Sequence, residues 1–285
     1  MVNWIVEDGV FGSSIAPLVT EIQSQGHQVG VIDYTRGFTD YERFFPEDEC
    51  ILFYGSLYVA LRILGDKSQP RLPWVPGIIG TSQNYYCTHY YGNLEKWLLN
   101  AHYYILPLEE LSRRVAIAED PVLENLIKDG NRLFVRPDSP LKPFPGGIYS
   151  RKELADLQGF MRGHYLDSSE ILVVIAPENE IEAEWRVIIA QGQVLSASQY
   201  KQSGKPCYQQ GMPDEVRRLA QEVAGCSWQP DPIWVLDLCW SKGSAYIMEI
   251  NFLSCSALYK CDLAPIVKEA SRIAQEEWDK VHSFR

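Results

Sequence analysis

Two acidic residues lie inside otherwise apolar runs late in the chain: Asp237 within residues 233–238 and Glu249 within 245–252. A lone carboxylate is costly to bury, so a hydrophobic strand that carries one keeps it for a partner. Asn251 follows Glu249 by two residues, and the two-residue period of a strand puts both on one face. A hairpin through residues 241–244 can bring Asp237 opposite Glu249. That pairing centres the turn on Gly243 and calls for an odd-length loop, because a two-residue loop would set Asp237 against Met248 and turn it away. Three hard oxygen donors on one face suit Mg²⁺ bridging nucleotide phosphates. The plainer alternative is a set of polar residues on a solvated sheet face.

Two further clusters could serve the same ligand. Residues 134–147 read F-V-R-P-D-S-P-L-K-P-F-P-G-G, a β-rich run that delivers Arg136 at its end and a loop with Lys142, Gly146 and Gly147. Glycine lets backbone N–H groups approach an anion, and Arg and Lys supply charge-assisted bonds to phosphate oxygens. A Pro-rich surface turn with two solvated cations is the alternative. In residues 184–200, two strands flank Gln191-Gly192, which predicts a tight hairpin. Glu184 and Arg186 share one face there, while Trp185, Val187 and Ile189 take the apolar one. As a surface ion pair, Glu184 and Arg186 would contribute little.

The elements that must position these groups follow from periodicity. Residues 2–6 form a short apolar run, and the turn Gly9-x-x-Gly12 reads as a plain strand-to-helix connection because the dinucleotide glycine fingerprint is absent. Ser13 or Ser14 is expected to cap a helix to about Gln25, with Gly26 closing it in a left-handed conformation. Strands at 28–33 and 50–54 and a helix at 57–64 repeat the pattern, which implies a mainly parallel sheet with covering helices. Residues 70–93 read as a crossing segment, and its tyrosine-rich part, 85–91 with Tyr85, Tyr86, Tyr90 and Tyr91, either packs as an aromatic core or borders the acceptor's pocket. Helices are expected near 94–100 and 107–129. From Arg132 onward the pattern is strands and hairpins, with helices at 151–163, 213–224 and about 262–281. Pro213 at the first helical position and Gly225 just past the end frame the second of these. The expected division is an α/β domain over 1–105 and an α+β domain over 106–285.

Composition narrows the function classes. Hydrophobic residues are 46% of the 285 and charged residues 22%, enough apolar material for a core without staples. A net charge of −11 speaks against non-specific binding to nucleic acid or anionic membrane, yet a local basic cluster can still hold a small anion. No apolar run is long enough to span a bilayer, and the first residues lack a secretory pattern. Seven cysteines without a C-x-x-C pair are expected to be reduced, which points to the cytoplasm. The five histidines lack metal-ligand spacing.

The order of the three clusters resembles the ATP-grasp superfamily over roughly residues 94–270. Because arginine stands at 136 where most members carry lysine, the chain looks like the divergent R-to-K clade, a resemblance that the run N-F-x-S-x-S-x-L-Y at 251–259 shares. The resemblance implies a Rossmann-like pre-ATP-grasp domain followed by an α+β ATP-grasp domain, with ATP held between two lobes. Arg136, Lys142, Gly146 and Gly147 then cover the phosphates, with Lys96 as a further phosphate lysine. Residues 174–178, including Val174, Ala176 and Glu178, form the adenine hinge, with Glu178 a candidate for the ribose. Glu184 and Arg186 lie on the strand after it, and Asp237, Glu249 and Asn251 bind magnesium. The implied reaction joins an acid to an amine through an acyl phosphate. Arg136, Lys142 and Arg186 act on the phosphate or acyl-phosphate oxygens, and the acceptor is a small molecule, a peptide or a protein. The alternative that the clade offers is a nucleotide-binding assembly factor without turnover. A nicotinamide-dependent oxidoreductase built on the N-terminal unit is disfavoured.

Overall fold

The computed structural model describes residues 1–12, 15–33, 44–46, 48–65, 72–117, 120–127 and 131–283. The N-terminal unit runs β1 (Asn3–Asp8), α1 (Ala16–Ser24), β2 (Gln28–Asp33), β3 (Cys50–Tyr54), α2 (Leu57–Leu64) and β4 (Val75–Gly77). Its four strands pair in the order β2-β1-β3-β4, every pair parallel, as the strand-turn-helix repeats imply. The expected caps Ser13 and Ser14 lie outside the described residues; the residue before α1 is Ile15, whose side chain makes no capping bond. Gly26 closes the turn at φ +81°, and Ser56 caps α2 by accepting from the Val59 N–H.

The segment expected to cross, 70–93, supplies β4 to the first sheet and then folds as a 3₁₀ turn, Ser82–Tyr85, and α3 (Cys87–Leu94). A helix expected at 94–100 is therefore shifted, and only a 3₁₀ turn, Glu95–Trp97, follows α3. Burial explains the shift: Tyr90, Tyr91 and Leu94 share the inward side of α3 and are fully buried.

A second sheet is antiparallel. It holds β5 (Tyr104–Pro107), β6 (Arg132–Pro137), β7 (Gly147–Ser150) and β8 (Leu172–Ala176) in the order β5-β8-β6-β7. The single helical stretch expected at 107–129 is two helices, α4 (Leu108–Val115) and α5 (Pro121–Leu126), because Asp120 accepts from the Val122 and Leu123 N–H groups and starts a new one. Likewise 151–163 splits into α6 (Arg151–Ala155) and α7 (Leu157–Gly163), where Asp156 caps the second through Gly159. These helices and the sheet enclose their own core around Leu111, Leu123, Val135 and Ile175.

The third sheet carries most of the candidate residues. It runs β9 (Ala183–Ala190), β10 (Gln193–Gln202), β11 (Lys205–Gln210), α8 (Asp214–Ala224), β12 (Ile233–Ser241), β13 (Ser244–Asn251) and then α9 (Leu263–His282). The strand order is β11-β10-β9-β12-β13, all antiparallel. Gln191 and Gly192 form the expected two-residue turn at φ +50° and +73°. Pro213 is the residue before α8 and not its first, since its ψ of 160° is extended, and Gly225 ends the helix at φ −83°, outside the left-handed region. Trp185, Val187, Ile189 and Leu236 pack in one cluster with Val216, Val223 and Ala224 of α8. Ile188, Ala190, Ile233 and Val235 point the other way and pack with α9.

Candidate nucleotide and metal site

Strand alternation places Glu184, Arg186 and Asp237 on the α9 side of the third sheet, on the same strands as the apolar residues beneath that helix. β12 pairs with β13 so that Asp237 stands opposite Glu249, the pairing that the sequence demanded, but by another route. The loop has two residues, Lys242 and Gly243 at φ +51° and +79°, not an odd number. Leu238 pairs with Ile247 and Asp237 with Glu249, so Met248 is the extra residue of a β-bulge. The bulge restores the face: Ile247 and Ile250, three apart, both join the cluster with α8, which leaves Glu249 and Asn251 on Asp237's side.

The groups converge in one network. Asn251 Nδ2 donates to Asp237 Oδ2 and to Glu249 Oε1, both at 3.1 Å. Arg186, level with Asp237 across β9, donates from Nε to Oδ1 at 2.9 Å and from Nη2 to Oδ2 at 2.8 Å; its Nη1 donates to the Ala257 carbonyl at 3.0 Å. From the second sheet, Arg136 Nη2 lies 3.1 Å from Glu249 Oε2, and Lys142 Nζ lies 3.0 Å from Glu249 Oε1. Three cations thus face two carboxylates across the meeting of two sheets. Burial would raise the Glu249 carboxyl, but Lys142, Arg136 and the Asn251 amide outweigh it and hold the group well below the usual carboxylate range. At Asp237, 1% exposed, burial pushes the carboxyl up against the pull of Arg186.

The glycine loop folds back on this cluster. A Cβ on Gly146 would lie 3.1 Å from the Arg136 Cβ, and Gly147 begins β7 opposite Val135. Lys142 itself sits at φ +47°. The donor set also bears on a cation. Among the described residues, no group of three or more His, Cys, Asp or Glu is placed to hold a metal. A hard ion at Asp237 and Glu249 would draw on the Asn251 amide oxygen and on ligands the protein does not supply, such as phosphate oxygens and water.

The remaining candidates lie apart from the network. Val174 is inside β8, between Ile105 of β5 and Arg136 of β6, so the ladders take up its backbone groups; Ala176 ends β8 and pairs there with Phe134 of β6. Glu178 is paired with Arg132. Glu184 is buried and bonds to Lys201 Nζ at 2.9 Å, not to Arg186. Lys96 pairs on the surface with Glu222 at 3.2 Å and lies over the Trp97 ring.

Three further supports hold the network in place. Tyr90, fully buried on α3, accepts from Arg136 Nη1 at 3.3 Å, so the tyrosine-rich segment is both core and a site support. Asp138, two residues after Arg136, accepts from the Thr88 N–H at 2.7 Å and ties the end of β6 to the start of α3. Tyr200 and Tyr259, stacked on each other, both lie beside Arg186, their ring centroids 5.6 and 5.2 Å from its guanidinium carbon. For Tyr90 the signal was the tyrosine-rich run itself; for Asp138, Tyr200 and Tyr259 the sequence gives none, since each depends on the docking of separate elements.

The profile of the ATP-grasp domain, R-to-K clade, family 3, matches residues 100–269. No curated protein sequence matches the chain. Among solved structures, the D-cycloserine synthetase DcsG aligns at TM-score 0.59 and 15% identity, over 97% of this chain and 100% of that one. D-alanine–D-alanine ligase from Bacillus anthracis aligns at 0.56 and 16%, over 97% and 100%. The ATP-grasp ligase PsnB, solved with its minimal precursor, aligns at 0.51 and 12%, over 96% and 99%. These likenesses cover nearly the whole chain and show its fold, and the profile covers more than half of it: the protein belongs to the ATP-grasp family of the R-to-K clade, family 3.

Proposed function

We propose that this chain is an ATP- and magnesium-dependent carboxylate–amine ligase working through an acyl phosphate. The observation that carries the reading is the single network joining Asp237, Glu249 and Asn251 to Arg136, Lys142 and Arg186. In the reaction, a substrate carboxylate oxygen bonds to the γ-phosphorus as the bond to the bridging oxygen of ADP breaks. The amine nitrogen then bonds to the acyl carbon, loses a proton, and phosphate leaves. Magnesium, held by Asp237, Glu249 and the Asn251 amide oxygen, would supply charge neutralisation at the phosphates.

The chain's own residues do the rest by position and charge. Arg136 and Lys142 now neutralise Glu249, and they exchange that carboxylate for phosphate oxygens when the nucleotide enters. Arginine at 136 can grip phosphate bidentately, so the change from lysine leaves nucleotide binding intact. Arg186, fixed on Asp237, presents its charge to the acyl-phosphate oxygens. The adenine hinge is the end of β8 and the residues after it, with Glu178 trading Arg132 for the ribose and Glu184 beside them. The two-domain division near residue 105 and a cytoplasmic setting with reduced thiols belong to the same reading. The acid and the amine of this reading are small molecules or peptides.

Titration calorimetry with Mg-ATP, followed by ADP release with pools of acids and amines, tests it. ADP formation that needs both an acid and an amine is expected. No binding at millimolar nucleotide would end the reading, and tight retention without turnover under any pairing would make the protein a nucleotide-binding factor instead.

A further inference from the structure

A cavity of about 340 Å³ opens between the β1–α1 turn and the segment that leads into α9. A surface cleft of this size, lined mainly by aromatic and aliphatic side chains with one charged group, is of the kind that takes a small ligand. Phe11 and Tyr54, with ring centroids 5.0 Å apart, form one wall, and Ile15 and Leu18 of the α1 region form the floor. Tyr208 and Tyr259 form the other wall, their rings stacked at 5.4 Å and 17°. Tyr259 also stacks on Tyr200 at 5.0 Å and 12°. It does so from φ +48°, a backbone conformation that a tyrosine rarely adopts and that here sets the ring in the stack.

The second wall is also the border of the nucleotide site. The Tyr259 ring is 5.2 Å from the guanidinium carbon of Arg186, which holds Asp237. The cavity is therefore one ring away from the residues that would activate a carboxylate. Lys260 is the one charged residue among its described lining residues, and among the described residues no carboxylate pairs with it. Its backbone N–H is fixed to Ser198 Oγ at 3.1 Å, so the side chain starts from a defined place at the rim.

We propose that this cavity is a substrate subsite that takes the apolar body of a monocarboxylate, aromatic or branched aliphatic and about the size of one amino acid, with Lys260 answering its carboxylate. The size limit follows from a volume at the low end of the range of about 300–1,000 Å³ for small-molecule pockets. The assignment of the acid to the ligation chemistry rests on the ligase reading; its binding does not.

The probe is 3-phenylpropionate, with acetate and 3-phenylpropanol as controls, titrated into the full chain. Saturable binding is expected, at least about tenfold tighter than acetate because the ring is buried. Lys260→Met should weaken the acid by about tenfold and leave the alcohol unchanged. Ile15→Trp, which fills the cavity, should abolish both. Absence of saturable binding, or binding that neither variant alters, would overturn the subsite. Lys260 is exposed, so its variant keeps the test valid even where Ile15→Trp fails to fold. A parallel Mg-ATP titration separates the two ideas. Nucleotide binding without acid binding removes the subsite alone, and acid binding without nucleotide binding removes the ligase reading alone.

Discussion

Arg186 meets Asp237 edge to edge, Nε on Oδ1 and Nη2 on Oδ2, from the paired position on the neighbouring strand. Both side chains are buried, so each is the main compensation for the other's lost hydration. Removing one partner leaves an uncompensated charge. Arg186→Leu should therefore lower the unfolding free energy by about 3–5 kcal/mol, read from a urea midpoint. The double variant Arg186→Leu with Asp237→Leu should recover most of that loss and still fail to bind Mg-ATP. Stability and function would then separate in one pair of residues. Full loss in the double variant would mean that the pair has no such coupling.

Glu249 is shared by Arg136 and Lys142, and Arg136 is in turn held by the Tyr90 hydroxyl. Arg136 uses two different nitrogens for these two partners, a geometry that a lysine ammonium at that depth cannot copy. Arg136→Lys should weaken Mg-ATP by about tenfold to a hundredfold, and Tyr90→Phe by a smaller factor, in calorimetric titrations. Wild-type affinity in Arg136→Lys would show that the forked contact does not matter.

Much of the site was legible because strand periodicity is strict. The face shared by Glu249 and Asn251, the face shared by Glu184 and Arg186, and the demand that Asp237 oppose Glu249 all follow from a period of two. The parallel N-terminal sheet was legible from its repeated strand-turn-helix units. What stayed hidden was how the demand is met. A bulge at Met248 satisfies it as well as an odd loop would, and the sequence does not choose between them. Helix ends were misplaced where side-chain caps compete with apolar periodicity, as at Asp120 and Asp156. Tyr259 depends on tertiary docking, which no local pattern carries.

The two-residue turn makes its own prediction. Lys242 and Gly243 both have positive φ, the signature of a type I′ hairpin, for which Asn-Gly is the favoured pair. Lys242→Asn should stabilise the protein by a few tenths to about 1 kcal/mol and leave Mg-ATP affinity unchanged. Thermal or urea unfolding measures the first, calorimetry the second. A loss of stability would argue for a different loop.

Asp231, just before β12, accepts from the Thr81 N–H at 3.2 Å and so fastens the crossing segment to the third sheet. Burial is the largest influence on it, opposed by the Thr81 N–H and aided by Glu277, and the carboxyl is raised to about 6. A raised carboxyl binds its proton more tightly in the folded chain than in the unfolded one. Its contribution is therefore fully present below the unfolded value near pH 4 and is lost as pH rises through about 6. Asp231→Asn keeps an oxygen for Thr81 and cannot ionise. The variant should match the wild type at about pH 4, become progressively the more stable of the two as pH rises from about 4 to about 6, and keep a level advantage above that. Urea midpoints across that range read the effect. A difference that does not change with pH would mean that folding does not raise the Asp231 carboxyl.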